Sequence, residues 1–340
     1  MGNRKLSGPR NLLPLPGLLS FLDPFVLAIL GMILLAAWWP QGGLGEGPWS
    51  LAALAGYGVS LIFFFYGLKL GPEKLRAGLG NIRLHLLVQL STFLLFPLLV
   101  LCFRPLFRDG PLELYWLGSF FLAALPSTVS SSVVMVSIAG GNIPAAIFNA
   151  SISSLLGIVL TPLWMQLVLS TGPGGMELGP VLLKLVFQVL VPVIAGMILH
   201  QWWGGFAERQ KTRLRYFDQA VILCIVYTAF CDAFHRHLFA SLQWYELAGL
   251  FIAMALLFWI AYGLTGLAAR RLGLNAPDTI TAQFCGSKKS LVHGTVMSKV
   301  LFAGNPLMAV LLLPLMIYHA LQLVMVGALA ARLQKRKGSN

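Results

Sequence analysis

The chain has 340 residues, 58% of them hydrophobic and only 10% charged, with a mean hydropathy of +0.81. Soluble domains run at about 45–50% apolar and about 25% charged usage, so a water-solvated globular fold is excluded. The formal charge of +13 is then a matter of where the basic residues fall, not a nucleic-acid footprint.

A helix needs about 20 apolar residues to cross a hydrocarbon core. Cutting the sequence at its polar, glycine and proline interruptions predicts ten crossings. Residues 1–21 form a basic lead-in with Arg4, Lys5 and Arg10. Pro14 and Pro16 interrupt its apolar stretch and no small-x-small cleavage pattern follows, so it is expected to stay on as a cytoplasmic segment. The predicted spans are 22–40, 49–68, 83–103, 114–139, 143–169, 180–202, 217–235, 245–269, 276–303 and 306–331, and a basic tail, 333–340, closes the chain. All are long continuous apolar runs; a membrane β-barrel would show short alternating segments, and is excluded.

With the N-terminus inside, 17 of the 24 Lys and Arg fall in cytoplasmic stretches, and only Arg104, Arg108, Lys184 and Arg236 on the opposite side. The positive-inside rule therefore predicts that both termini are cytoplasmic. Lys288, Lys289 and Lys299 lie within the ninth span.

The chain resembles itself. Ile29–Trp39 matches Ile194–Trp203 with Gly31 opposite Gly196, an offset of 165; Asn142 and Asn305 close similar Ala-Gly-(Gly)-Asn strings at an offset of 163; Tyr66 lies opposite Tyr227 at 161. These offsets predict a five-helix unit present twice, 22–170 and 171–332. Five is odd, so the second copy enters the membrane from the other side and the repeats are inverted, a transporter signature.

In such proteins substrate binds mid-membrane where a helix in each half is interrupted. The fourth span carries Pro126, which cannot supply a backbone donor, followed by Ser130, Ser131 and Ser132. The ninth carries Gln283, Gly286, Ser287, Lys288, Lys289, Ser290 and His293 where hydrocarbon should be. A lysine at the bilayer centre costs about 2.5–3.5 kcal/mol on insertion scales and faces a cavity as a rule. All eleven acids sit near helix ends or in loops, so an anionic substrate is the expected partner of the lysines, helped by the positive helix N-termini at the breaks. Asn149 and Ser151 on the fifth span, Gln89 and Thr92 on the third, and His319 on the tenth are further candidates. Cys102, Cys224, Cys231 and Cys285 show no paired or metal-ligand spacing, so neither a cofactor nor a metal centre is expected.

The strings Ser130–Asn142, Thr161-Pro162, Phe284–Leu291, Lys299–Gly304 and Ile317–His319 resemble the bile acid:sodium symporter superfamily, and within it the solute carrier family 10 member seven branch with its bacterial relatives. The resemblance implies an inner-membrane carrier with a panel domain (helices 1, 2, 6, 7), a core domain (helices 3–5, 8–10) and broken fourth and ninth helices that cross. Substrate would bind at the crossing, and the core would move against the panel to give alternating access. Sodium-coupled members bind two Na⁺ through a glutamate and a following Gln-Asn-Ser on the ninth helix, a Ser-Asn on the fourth, and hydroxyls on the fifth. Matching Ser290-Leu291 puts Gln283 at the glutamate and Ser287, Lys288 and Lys289 at the Gln-Asn-Ser; Ser132 falls at the serine, Val133 at the asparagine, and Ala146 and Ala150 where hydroxyls are expected. On this match Thr92, Ser132, Ser151 and Gln283 are what remains for an ion, and two added ammonium groups oppose a Na⁺ pair there. A lysine, Lys289 first, is expected to take the place of a bound cation, leaving coupling absent, protonic or at another ion site.

The expected function is secondary transport of a small organic anion across a lipid bilayer. The alternative is a membrane regulator of ion homeostasis, of the calcium type, without bulk transport. No nucleophile arrangement, metal-ligand cluster or nucleotide-binding Gly-Lys motif points to an enzyme or a primary pump.

Overall fold

The computed structural model describes residues 24–69, 80–108, 110, 112–128, 130–169, 183, 186–240, 243–303 and 305–337. The lead-in 1–21, the loop with Lys74 and Arg76, Lys184 and the start of the predicted sixth span lie outside them. Twelve helices carry the architecture: α1 (Pro24–Trp38), α2 (Leu51–Lys69), α3 (Ile82–Leu101), α4 (Glu113–Ala124), α5 (Ser130–Ala139), α6 (Ile143–Leu169), α7 (Val186–Arg209), α8 (Lys211–His235), α9 (Trp244–Arg271), α10 (Ala276–Gly286), α11 (Leu291–Leu301) and α12 (Met308–Lys337). The described residues contain no strand. Seven helices, α2, α3, α6, α7, α8, α9 and α12, are each long and apolar enough to cross a membrane, and α1 is a shorter apolar helix. The predicted fourth and ninth spans are each two short helices in series, α4 with α5 and α10 with α11.

The exterior shows why the chain needs lipid. Leu34, Leu61, Leu163, Phe187, Ile198 and Ile252 all point outward from the helices, as expected where the surroundings are as apolar as the core. Exposed Trp38, Trp39, Trp49 and Trp244 sit at the helix ends of one side of the molecule, and Trp202, Trp203 and Tyr216 near those of the other. Two aromatic belts mark two membrane–water boundaries. This is a multi-pass membrane protein.

Helices α1, α2, α7 and α8 pack on one another, while α3–α6 and α9–α12 form a second group around the broken helices. In the first group α2 and α7 touch backbone to backbone. A Cβ on Gly67 would collide with the Val193 carbonyl, and one on Gly196 with the Phe64 carbonyl, the close approach that small residues permit between membrane helices.

One end of the second group is tied by a single carboxylate. Asn81 caps α3 by accepting from Leu84 N–H at 3.2 Å, Asn142 caps α6 by accepting from Ala145 N–H at 3.1 Å, and Asn275 caps α10 by accepting from Asp278 N–H at 2.8 Å. The amide groups of Asn81 and Asn142 each donate to the buried Asp278 carboxylate at 2.8 Å. Three helix N-termini thus converge on one negative charge, which their dipoles favour. Because both asparagines are pinned with Oδ1 toward a helix N–H, both must donate to residue 278. Asp278→Asn would set one amide donor against another, and we expect it to cost roughly 1–3 kcal/mol, nearly as much as Asp278→Ala, measured by thermal unfolding in detergent.

Candidate substrate and ion site

The site is built from groups that broken helices leave unpaired. α4 stops at Ala124 before Pro126, and a helix end leaves its last carbonyls without helical partners. Each finds one. Ala124 O accepts from Thr161 Oγ1 at 2.7 Å, Ala123 O and Leu125 O accept from Lys289 Nζ at 2.7 and 2.9 Å, and Pro126 O accepts from Ser290 N–H at 2.9 Å. The second break, Ser287–Ser290, is satisfied in the same way. Ser127 Oγ donates to Cys285 O at 2.6 Å, Tyr318 OH to Ser287 O at 2.6 Å, and the Gln322 amide clamps Lys289, accepting from its N–H and donating to its C=O at 2.8 Å each. The two interruptions therefore touch, each closing part of the other.

The third acceptor for Lys289 Nζ is Thr92 O, at 2.7 Å. It is free because α3 widens to a π-turn over Ser91–Leu95: Phe96 N–H reaches back five residues to Ser91 O, and the next residue, Pro97, has no N–H to offer Thr92 O. The Phe96 ring centroid lies 4.3 Å from Nζ, so the ammonium is caged by three carbonyls and an aromatic face.

Lys288 differs. It is equally buried, yet among the described residues its Nζ has one hydrogen bond, to Ser131 Oγ at 2.8 Å. Ser131 Oγ donates on to Thr128 Oγ1 at 3.0 Å, and Thr128 Oγ1 lies 2.7 Å from Ser132 Oγ. No described carboxylate pairs with either lysine.

Ser131 and Thr128 form the wall of a cavity of about 680 Å³ whose inner end also holds Ser290, His293, His319 and Tyr66, and whose other end holds Lys69, Glu208, Lys211, Arg215 and Asp218. The first turns of α5 and α11 both face it. Ser290 caps α11, its Oγ accepting from His293 N–H at 3.3 Å and lying 3.0 Å from His293 Nδ1. His319 is fixed by the clamp: Gln322 Oε1 must accept from Lys289 N–H, so Nε2 is the donor 2.9 Å from His319 Nδ1, which leaves that ring's proton on Nε2.

Of the residues expected at the site, Ser131, Ser151, Ser290 and His293 line the cavity, and Lys288 and Ser132 stand one hydroxyl behind it. Ser130 is the first residue of α5. Thr92 contributes its carbonyl, its hydroxyl donating to Val88 O at 2.8 Å. Asn149 lies between α3 and α6, bonded by Gln89 Nε2 at 3.2 Å, and Gln283 turns to Tyr262 O on α9 at 3.3 Å, so neither lines the cavity. Ser287 Oγ closes its own helix end on Gln283 O at 2.6 Å. Gln322, Thr128, Ser127 and Tyr318 were not expected. Gln322, a lone amide amid Ala320, Leu321 and Leu323, carried the signal of a polar group in hydrocarbon.

Against known proteins, the SBF-like CPA transporter family model matches residues 23–335. The chain belongs to this family. It is 43% identical over 316 residues to an uncharacterised protein of Pseudomonas aeruginosa, covering 93% of this chain and 94% of that protein. It is 38% identical to the YfeH protein of Escherichia coli, whose name carries the word symporter, over 94% and 95% of the two chains. The sodium/bile acid cotransporter 7 of Xenopus tropicalis is 33% identical, over 90% of each chain.

The clamp on Lys289 has a measurable weight. Gln322→Leu leaves a buried N–H and a buried C=O unpaired at about 1–3 kcal/mol each. A drop in melting temperature in detergent clearly larger than that of a Leu321→Ala control is the expected outcome.

Proposed function

We propose that the chain is a secondary active carrier of a small organic anion, with ten membrane crossings in two inverted five-helix halves. The pairs α4/α5 and α10/α11 each count as one broken crossing. The observation that carries this reading is the cavity between the touching breaks and one end of the molecule. Its inner end offers hydroxyls, two helix N-termini and, behind Ser131, the partly bonded ammonium of Lys288, with no carboxylate among its described lining there. Half-helix N-termini at mid-membrane are where carriers hold anionic groups.

The pairing of α1 with α8 and of α2 with α7 is the pattern an inverted repeat requires, since first pairs with seventh as sixth pairs with second. In this reading α1, α2, α7 and α8 are the panel and the other helices the core, and substrate crosses as the core shifts against the panel. The cavity mouth at Lys69, Lys211 and Arg215 is the cytoplasmic end by the positive-inside rule, by which both termini lie on the cytoplasmic side of the bacterial inner membrane and the chain is in its inward-open form. The mouth, with three cations against Glu208 and Asp218, raises the local concentration of anions.

Sodium is not assigned a coupling role. Thr92, Ser132, Ser151 and Gln283, the residues left for Na⁺ by resemblance, share no hydrogen-bond partner among the described residues. A proton-coupled or uncoupled cycle fits better.

The test is uptake of a panel of carboxylates and sulfates into proteoliposomes, with and without Na⁺ and with and without a proton gradient. Saturable uptake indifferent to Na⁺ is expected. Lys288→Met should raise KM by roughly 10- to 100-fold, the weight of a hydrogen bond to a charged group, with Ser131→Ala a milder copy. Absence of saturable uptake for every anion would overturn the carrier reading in favour of a regulator of ion homeostasis.

A further inference from the structure

The two adjacent lysines have opposite surroundings. Lys288 points to a hydroxyl at the cavity wall, whereas Lys289 donates to the carbonyls of Thr92, Ala123 and Leu125 at 2.7, 2.7 and 2.9 Å beneath the Phe96 ring. An ammonium has three donors and no acceptor, so Lys289 is saturated and no anion can reach it. Its acceptors are all negative ends of dipoles: two carbonyls at the C-terminus of α4, where the helix dipole is negative, and one released by the π-turn of α3. Unwound carbonyls and half-helix C-termini are how membrane proteins hold monovalent cations. The cage has the chemistry of a cation site, and its occupant is a side chain of the protein itself.

We propose that Lys289 is a tethered cation that fills a monovalent-cation site made by Thr92, Ala123 and Leu125. A chain lacking the ammonium becomes dependent on a free one. Ammonium should fit best, since it offers the same N–H groups, with potassium next because its size is close. A tethered ion has no association entropy to lose and never dissociates, so the junction assembles without a diffusible ion. The consequence for transport, that no ion held at this place is carried with substrate, rests on the carrier reading; the site itself does not.

The experiment is thermal unfolding of the full-length chain in detergent at fixed ionic strength, in chlorides of choline, sodium, potassium, ammonium and methylammonium. The native chain should melt at the same temperature, within about 1 °C, in all five. Lys289→Ala should melt more than about 5 °C lower in choline. It should recover at least half of that loss, saturably, in ammonium or methylammonium, as mass action requires of a ligand bound by the folded state alone. Lys289→Met, whose stem still fills the space, should be destabilised without recovery. A Lys289→Ala protein that ignores every small cation, or responds to choline equally, overturns the proposal, as does sodium-specific stabilisation of the native chain. If Lys289→Ala accumulates only when cells are grown and lysed with ammonium, the proposal stands; if it fails to accumulate with or without ammonium, it falls. Ammonium recovery together with absent anion uptake would remove the carrier reading and leave the tethered cation intact.

Discussion

In a hydrocarbon slab a main-chain carbonyl without a partner costs several kcal/mol, so a helix can stop partway through only where other parts of the protein complete it. The junction of the two breaks is arranged around that demand. The carbonyls at the end of α4 are met by Thr161, Lys289 and Ser290, and those around the second break by Ser127, Tyr318 and Gln322. Donors for the first break come largely from the second, and the second takes Ser127 from the first and Tyr318 and Gln322 from α12, so neither interruption is complete alone. This mutual completion holds open a polar point at the centre of an apolar molecule.

The same demand explains why two lysines are tolerated there. A buried ammonium without partners would not persist at that depth, but Lys289 meets three carbonyls and an aromatic face, and its main chain is held by Gln322. Lys288, which among the described residues meets the Ser131 hydroxyl alone, keeps donor capacity next to the cavity. One charge is committed to the architecture; the other, in the proposed carrier, is available to an anion. The end of the molecule that carries Asp278 is treated differently, with a carboxylate accepting from two asparagine caps while a third, Asn275, accepts from the Asp278 main-chain N–H. The fixed ends of α3, α6 and α10 are thus clamped by a negative charge, and the broken middle by a positive one.

Membership of a transporter family gives this geometry its functional frame, yet the relatives' names do not carry over unaltered. A sodium/bile acid cotransporter is among the similar proteins, while here the residue that the resemblance sets at a sodium-binding glutamate is Gln283, which bonds Tyr262 O on a neighbouring helix. A fold can persist while its ion ligands change, because packing depends on shape and apolar surface whereas ion binding depends on a few charges.

Much of the architecture was legible in the sequence. Hydropathy and length determine an all-helical membrane protein, since long continuous apolar runs satisfy their backbone in lipid as helices whereas a barrel would need short alternating segments, and Pro126 and the polar string around Lys288 located both interruptions. The strings Ser130–Asn142 and Phe284–Leu291 also pointed to the right superfamily. What the sequence could not separate was one lysine from its neighbour. Residues 288 and 289 have the same chemistry and the same depth, and which of them meets carbonyls and which a hydroxyl depends on α3, α4 and α5, 157 to 197 positions away in the chain. Asn149 and Gln283 read as site residues for the same reason, polar groups at the right depth whose helix faces turn elsewhere. Composition fixes how many polar groups must be buried; only the packed helices decide which of them answer one another and which remain to face a substrate.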